Sequence, residues 1–269
     1  RRRSTIGDAG WNVLAGDLPL PLAVLRREAM EHNLGWLQQR ATTWGVRLAP
    51  HGKTTMSPQL FGRQLDAGAW GMSFATVTQA GIGAAAGARN ILIANQVVGE
   101  QDLAALQALR AAHAGQRILF LVDSHAQLEL VAAWHAAHAD TPPFEVLVEI
   151  GVDGARTGCR SHAHAMALAR AVATRPALRL CGIECYEGQG ATGDSAADAA
   201  YVETLMQRVH AVVQDCAQQS LFAQGEILVT AGGSALYDLV ATRLKPTITQ
   251  PVQALLRSGC YLTHDPGNY

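Results

Sequence analysis

Residues 91–122 read ILIANQVVGEQDLAALQALRAAHAGQRILFLV, and this stretch decides the class of fold. It contains two short apolar runs, Ile91–Ala94 and Ile118–Val122, which predict buried strands. Between them, Glu100–Ala114 is rich in Ala, Leu and Gln with apolar residues three to four apart, which predicts a helix. Two neighbouring strands joined by a helix run parallel. The stretch therefore predicts one unit of an α/β fold.

The same alternation continues along the chain in both directions, and Ser161–Ala173 is another predicted helix. The apolar runs predict eight strands: Val46–Ala49, Gly71–Phe74, Ile91–Ala94, Ile118–Val122, Phe144–Ile150, Leu178–Cys185, Ile227–Thr230 and Val252–Leu256. Parallel strands of this kind form either a closed (β/α)8 TIM-like barrel or an open doubly wound sheet. The even number of strands favours the barrel, in which functional side chains gather at the carboxyl ends of the strands.

The composition excludes several classes of protein. The chain has 269 residues, of which 49% are hydrophobic, enough for one core of barrel size and little more. Its net charge is -1 and its only basic run is Arg1–Arg3, so it offers no clustered positive charge for nucleic acid. No apolar run approaches the roughly 18 residues of a membrane span. We therefore expect a cytoplasmic protein that binds neither nucleic acid nor a membrane.

The five cysteines are expected to be reduced, because they are odd in number and lack the paired spacing of metal ligands. They are Cys159, Cys181, Cys185, Cys216 and Cys260. Cys181 and Cys185 share a predicted strand, where their spacing places them on one face. We interpret this pair as packing residues rather than as a metal or redox site.

Lys53 directly follows the first predicted strand, in the sequence Pro50-His51-Gly52-Lys53-Thr54-Thr55. That position is the carboxyl end of a barrel strand, where a reactive side chain reaches the pocket. Most lysines only interact with water, so this short motif does not by itself assign a function. If Lys53 reacts, we expect the barrel mouth to shield it partly from water.

Five segments, read together, carry a resemblance to a known family. They are Lys53 with its flanking residues, Phe74–Ala80, Ile93–Gly99, Gly154–Gly158 and Gly232–Ser234, and they occur in the family's order. The chain resembles the D-serine dehydratase and D-threonine aldolase group, whose members share an alanine-racemase-type amino-terminal barrel. The resemblance includes the opening Leu20–Leu25 and Asn33 and continues to the end of the chain. It implies a fold-type III barrel with pyridoxal 5'-phosphate as cofactor.

The resemblance also predicts the domain limits. We expect an N-terminal extension over residues 1–18, the cofactor-binding barrel over 19–262, and the start of a linker over 263–269. Members of the group normally continue into a mostly β domain, which we expect to be missing from this chain. Because that domain carries the metal pair of the family, a zinc or manganese ion is implied there, and no metal ligand is assigned here. His264 and Asp265 are a weaker alternative as ligands.

The resemblance implies that Lys53 carries the cofactor as a Schiff base and, once released by substrate, takes the proton from the substrate's α-carbon. Phosphate needs backbone donors, and glycine turns supply them because no side chain blocks close approach. Turns of this kind follow the seventh and eighth predicted strands, where barrel phosphate sites are common. The resemblance assigns phosphate binding to Thr230, Gly232, Gly233 and Ser234, with Gly259 and Cys260 in the partner turn.

Three further side chains have two interpretations each. The resemblance places Arg156 at the phenolic oxygen of the cofactor, and the alternative is a salt bridge to Glu149 or Asp153. It places the ring of Tyr186 against the cofactor, and the alternative is a core tyrosine. Arg257 follows the alanine racemases in facing the pyridine nitrogen, which an arginine leaves unprotonated, and the alternative is a surface role.

The resulting functional hypothesis is a lyase that dehydrates and deaminates a D-hydroxyamino acid such as D-serine or D-threonine, giving a 2-oxo acid and ammonia. A D-threonine aldolase, which releases glycine and an aldehyde, is the second hypothesis. An amino-acid racemase and a non-catalytic carrier of pyridoxal phosphate are the others. The resemblance also implies a homodimer, and the expected ligand is a small D-amino acid.

Overall fold

The computed structural model describes residues 6–113 and 115–264, and within them eight helices alternate with eight strands. The helices are α1 Arg27–Trp44, α2 Pro58–Asp66, α3 Val77–Ala85, α4 Glu100–Ala112, α5 His125–Ala137, α6 His162–Ala173, α7 Ser195–Gln218 and α8 Tyr237–Ala241. The strands are β1 Arg47–Leu48, β2 Met72–Phe74, β3 Asn90–Gln96, β4 Arg117–Val122, β5 Phe144–Ile150, β6 Leu178–Cys185, β7 Ile227–Ala231 and β8 Val252–Leu256. All eight predicted strands are present.

The eight strands form one parallel sheet in the order β1-β8-β7-β6-β5-β4-β3-β2. Its two edges meet at a parallel bridge between His51 and Ser73, so the sheet is a near-closed barrel rather than an open sheet. At this seam the Ser73 N–H donates to the Pro50 carbonyl at 2.9 Å, and the His51 N–H donates to the Arg257 carbonyl at 3.0 Å. His51 therefore joins β8 to β2 two residues before Lys53.

The apolar side chains of the strands fill two spaces. Ile91 and Ile93 of β3 pack with the helices, while Leu92 between them points into the barrel. This alternation is the two-residue period of a strand with both faces buried. The barrel interior is filled by Ala49, Trp70, Leu92, Leu119, Leu121, Leu147, Cys181, Leu228 and Leu255. The lower barrel is therefore a packed core, and the chemistry is confined to its mouth.

Cys181 and Cys185 lie on opposite faces of β6, so the prediction that they share one face is wrong. Val146 pairs with Leu180 and Leu147 with Gly182, so Cys181 is an extra residue that reverses the alternation. Cys181 packs in the barrel interior and Cys185 packs towards the helices. Both are free and buried, which agrees with their interpretation as packing residues.

Among the residues that the structure describes, no helix combines the length and hydropathy needed to cross a bilayer.

Gly182, next to the β6 bulge, has no room for a side chain. A Cβ at this position would lie 2.7 Å from the Leu228 carbonyl carbon of the adjacent strand. We expect Gly182→Ala to lower the unfolding free energy by about 2 kcal/mol or more, because backbone rather than a flexible side chain must move.

Gly35 on α1 is the matched control, since nothing lies within 4 Å of its Cβ position. Gly35→Ala should stabilise the helix by roughly 0.5–1 kcal/mol. Urea unfolding of both variants measures the difference, and equal effects would contradict the barrel packing.

Candidate active site

A cavity of about 140 Å³ lies where the strands end at the barrel mouth. Eight of the ten predicted site residues line it: Lys53, Arg156, Tyr186, Gly232, Ser234, Arg257, Gly259 and Cys260. His51, Thr54, Ala75, Ala94 and Asn95 complete the lining. These residues lie at or after the carboxyl ends of seven of the eight strands, which is how a parallel barrel assembles one site from distant parts of the chain. Thr230 and Gly233 are the two predicted residues that do not line the cavity.

Lys53 lies in a 3-10 turn, Gly52–Thr54, directly after the seam. Gly52 is packed against Phe74 and Phe61, where a Cβ would lie 3.0 Å from the Phe61 ring, so the turn is tightly held. The Lys53 side chain is exposed in this chain, and the expected shielding from water is therefore wrong for the described residues. The chain has only two lysines, Lys53 and the exposed Lys245. Of the two, only Lys53 lines the cavity. The small number of lysines in the sequence could therefore have supported the choice of Lys53 independently of its motif.

His51 also lines the cavity, and the sequence patterns did not assign it a role. Burial, and after it the nearby positive charges of Lys53, Arg257 and Arg156, lower its pKa to about 3. Its Nδ1 accepts a hydrogen bond from the Lys53 N–H at 3.4 Å. The imidazole is therefore neutral at physiological pH.

Arg257 is a buried cation at the centre of the site, with 2% of its surface exposed, so the alternative of a surface role is wrong. Its Nη1 donates to the Thr230 hydroxyl at 2.8 Å, and its Nη2 donates to the Glu184 carboxylate. Its Nε has no hydrogen-bond partner among the described residues. A Cβ on Gly232 would lie 2.7 Å from the Arg257 Cζ, so the glycine is required for the guanidinium to lie beneath the turn. Thr230 is fully buried and orients Arg257 instead of facing the cavity.

Glu184 is the buried partner of Arg257 and was missed in the sequence, where it lies inside an apolar run. Burial raises the pKa of its carboxyl to about 8, and Arg257 opposes this shift. Its second oxygen, Oε2, has no hydrogen-bond partner among the described residues. A polar residue at the carboxyl end of a barrel strand is the signal that marks it.

Arg156 and Tyr186 form a pair at the rim of the cavity. The Arg156 guanidinium carbon lies 4.9 Å from the centre of the Tyr186 ring, a cation–π distance. Glu149 accepts from Gln96 at 2.5 Å and from Thr157 at 2.7 Å, and no described ion pair joins Arg156 to Glu149 or Asp153. The salt-bridge alternative is therefore wrong. Tyr186 is only half-buried, so it is not a core tyrosine.

The two glycine turns differ in the backbone donors that they offer. The N–H groups of Gly232 and Gly233 donate to the Glu187 carboxylate, at 3.1 and 2.6 Å. The N–H groups of Ser234, Gly259 and Cys260 donate to no acceptor among the described residues. A Cβ on Gly259 would lie 2.5 Å from the His51 carbonyl oxygen and 2.9 Å from the Thr54 hydroxyl, so the glycine allows this turn to pack closely against the turn that contains Lys53.

The described residues contain no cluster of three or more His, Cys, Asp or Glu that could hold a metal. His264 lies on a neighbouring groove of about 720 Å³, and Asp265 lies outside the described residues. Asn33 lines the same groove and donates to the Leu262 carbonyl at 3.4 Å.

The family of the alanine racemase N-terminal domain matches residues 25–256. The chain belongs to this family. The barrel and the resemblance to an alanine-racemase-type amino-terminal domain, both inferred from the sequence, are thereby confirmed. Proteins of this fold-type III family use pyridoxal phosphate.

Several characterised enzymes are similar to this chain. D-threo-3-hydroxyaspartate dehydratase of Delftia sp. (strain HT23) is 36% identical over 141 residues, which cover 52% of this chain and 36% of that enzyme. D-threonine aldolase of Arthrobacter sp is 32% identical over 219 residues, which cover 81% of this chain and 56% of that enzyme. The crystal structure of D-threonine aldolase from Filomicrobium marinum is 28% identical with a TM-score of 0.77, over 93% of this chain and 63% of that chain. This chain therefore spans less than two thirds of the length of these relatives.

The hydrogen-bond donors and the amine that line the cavity match the chemical groups of pyridoxal phosphate. It presents one amine for an aldehyde, Lys53, and two guanidinium groups, Arg156 and Arg257, for the polar atoms of a ring. Arg257 Nε is a buried donor that has no partner among the described residues. The unused amides of Ser234, Gly259 and Cys260 suit an anion such as phosphate.

Replacing Glu184 with glutamine tests whether this buried carboxyl holds a proton. Because burial raises its pKa from 4.5 to about 8, the folded protein keeps a proton that the unfolded chain releases between these values. The unfolding free energy of the wild type should therefore fall relative to E184Q as the pH rises through this range, by at most about 1.4 kcal/mol per pH unit. Urea unfolding of both proteins at about pH 5 and about pH 8 measures this change. A difference that does not vary with pH would mean that Arg257 keeps Glu184 ionised throughout.

Proposed function

We propose that this chain is the cofactor-binding barrel of a pyridoxal-phosphate-dependent lyase acting on D-3-hydroxyamino acids, with dehydration and deamination as its leading reaction. The observation that carries the proposal is Lys53 in a cavity with Arg156 and Arg257, in a chain similar to enzymes of this kind. Those relatives are named for a D-hydroxyaspartate or for D-threonine, and these substrates share a hydroxyl group on the β-carbon. D-serine is the simplest compound of the class.

We assign seven of the lining residues to parts of the cofactor. Lys53 Nζ binds its aldehyde carbon, and Ser234, Gly259 and Cys260 bind its phosphate through backbone N–H groups. Arg257 faces the ring nitrogen, and Arg156 faces the phenolic oxygen with Tyr186 beside the ring. When bound, the cofactor withdraws electrons from the substrate's α-carbon.

Lys53 then moves the proton that starts the reaction. Its freed amine accepts the proton from the substrate's α-carbon, and the bond from the β-carbon to its hydroxyl breaks. A group outside the described pocket gives a proton to the leaving hydroxyl, which departs as water. Hydrolysis of the remaining enamine uses one water and releases a 2-oxo acid and ammonia. Arg257 stays charged throughout, because a guanidinium cannot supply its proton to the ring nitrogen.

Aldol cleavage is the second candidate, and the D-threonine aldolase relative, which aligns with 81% of this chain, favours it. In this reaction a base takes the proton of the β-hydroxyl, and the bond between the α- and β-carbons breaks. The α-carbon then gains a proton, and the products are glycine and an aldehyde. Racemisation would need a second base opposite Lys53, and the neutral His51 is a poor one because its pKa is about 3.

The domain limits at residues 18, 262 and 269, the second β domain, the homodimer and the cytoplasmic location stay predictions. A zinc or manganese requirement also stays a prediction. One related structure, of a D-threo-3-hydroxyaspartate dehydratase variant, is described as the metal-free form.

Product analysis distinguishes the two lyase reactions. The full-length protein is incubated with pyridoxal phosphate and with D-serine, D-threonine or D-threo-3-hydroxyaspartate, with and without zinc or manganese. We expect 2-oxo acid and ammonia in equal amounts and no glycine. Glycine with an equal amount of aldehyde would replace the dehydratase with the aldolase. L-amino acid product alone would indicate a racemase, and no turnover with bound cofactor would indicate a carrier.

The two lysines allow a matched test of the cofactor site. Lys53→Ala should abolish the visible absorbance of bound pyridoxal phosphate, because the chain loses the amine that holds the aldehyde. Lys245→Ala removes the only other lysine side chain and should leave the absorbance unchanged. Retention of the band in the Lys53 variant would contradict the whole site assignment.

A further inference from the structure

Glu187 lies directly behind the glycine turn that follows β7. Its side chain is fully buried, and its two carboxylate oxygens accept the N–H groups of Gly232 and Gly233 at 3.1 and 2.6 Å. Charge-assisted bonds of this kind are stronger than bonds between neutral groups. Burial raises the pKa of this carboxyl, while Arg257 and the two amides oppose the shift.

The turn is held from three sides, which leaves it little freedom to move. A Cβ on Gly233 would lie 3.0 Å from the Glu187 Cδ and 3.2 Å from the Gly188 Cα. Gly232 is packed on Arg257 in the same way. The Ser258 hydroxyl donates to the Gly233 carbonyl at 2.6 Å, so both backbone polar groups of Gly233 are used by the protein.

These contacts divide the turn into two parts with different partners. The N–H groups of Gly232 and Gly233 donate to Glu187. The next residue, Ser234, lines the cavity, and its N–H has no acceptor among the described residues. Across the cavity, Gly259 and Cys260 also line it with unused N–H groups. An anion in the cavity can therefore use these three amides without displacing any protein hydrogen bond.

A competing interpretation is that Glu187 takes the place of the phosphate and is displaced by it, because carboxylate and phosphate bind the same kind of donor. The location of Glu187 argues against this interpretation. The residue is completely buried and is not part of the cavity lining, so its carboxylate lies behind the turn and not in the space that a ligand would enter.

We infer that Glu187 is a positioning residue for the phosphate subsite: it fixes the Gly232–Gly233 backbone so that Ser234, with Gly259 and Cys260, presents amides to the phosphate of the cofactor. This inference rests on the proposed binding of pyridoxal phosphate in the cavity. It moves the phosphate contacts from Gly232 and Gly233, which the sequence resemblance assigned, to the neighbouring Ser234.

The test compares the affinities for pyridoxal phosphate and for pyridoxal, which lacks the phosphate. Both ligands are titrated by absorbance into the full-length wild type, E187A and E187Q. The exposed Glu226 supplies the matched control, E226Q. We expect E187A to weaken pyridoxal phosphate binding about tenfold or more, with little change for pyridoxal. E187Q keeps one acceptor oxygen and should fall between E187A and the wild type, while E226Q should match the wild type.

Three results would overturn the inference. Tighter binding of pyridoxal phosphate by E187Q or E187A would identify Glu187 as a competitor of the phosphate. Equal losses for both ligands would show a general structural role, and unchanged affinities would show no role. If E187A does not fold by circular dichroism, E187Q alone decides between these results. Failure of the wild type to bind either ligand would instead contradict the proposed function.

Discussion

The burial of Arg257 is the constraint on which the mouth of this barrel depends. A guanidinium is always charged, and removing one from water costs several kcal/mol unless its donors find partners. Glu184 and Thr230 supply those partners from the adjacent strands β6 and β7. Gly232 must then lack a side chain, because the guanidinium occupies the space where its Cβ would lie. One buried cation thus contacts residues at three strand ends, and its charge adds to the effects of burial and of Lys53 that lower the pKa of His51.

The seam of the barrel connects this cation to Lys53. The His51 N–H donates to the Arg257 carbonyl, and His51 also bridges to Ser73 on the opposite edge of the sheet. Lys53 follows two residues later, in a turn packed on Phe74 and Phe61. The contacts that close the sheet therefore also fix the position of the Lys53 turn. The apolar layer beneath, with Leu92, Leu147 and Leu228 among its members, keeps this polar layer at the mouth.

The fold was predictable from the sequence because eight apolar runs separated by helical stretches admit few parallel arrangements. The site was predictable as far as residues follow strands in recognisable turns, as at Lys53, Ser234 and Gly259. Glu184 and Glu187 were not found, because a glutamate in or beside an apolar run gives no periodic signal and its partners come from other strands. The prediction that Cys181 and Cys185 share one face failed for a similar reason. The bulge at Cys181 depends on the pairing of β6 with β5, and the local composition does not indicate it. The exposure of Lys53 also depends on what surrounds the mouth, which spacing does not report.

The most direct test of the account is to identify the residue that carries the cofactor. The protein is incubated with pyridoxal phosphate, reduced with borohydride to make the linkage permanent, digested, and mapped by peptide mass. Because the chain has two lysines, the mass addition has few places to occur. The account predicts the addition on the peptide that contains Lys53 and none on the peptide that contains Lys245. Addition at Lys245 or at the terminal amine, with Lys53 unmodified, would contradict it.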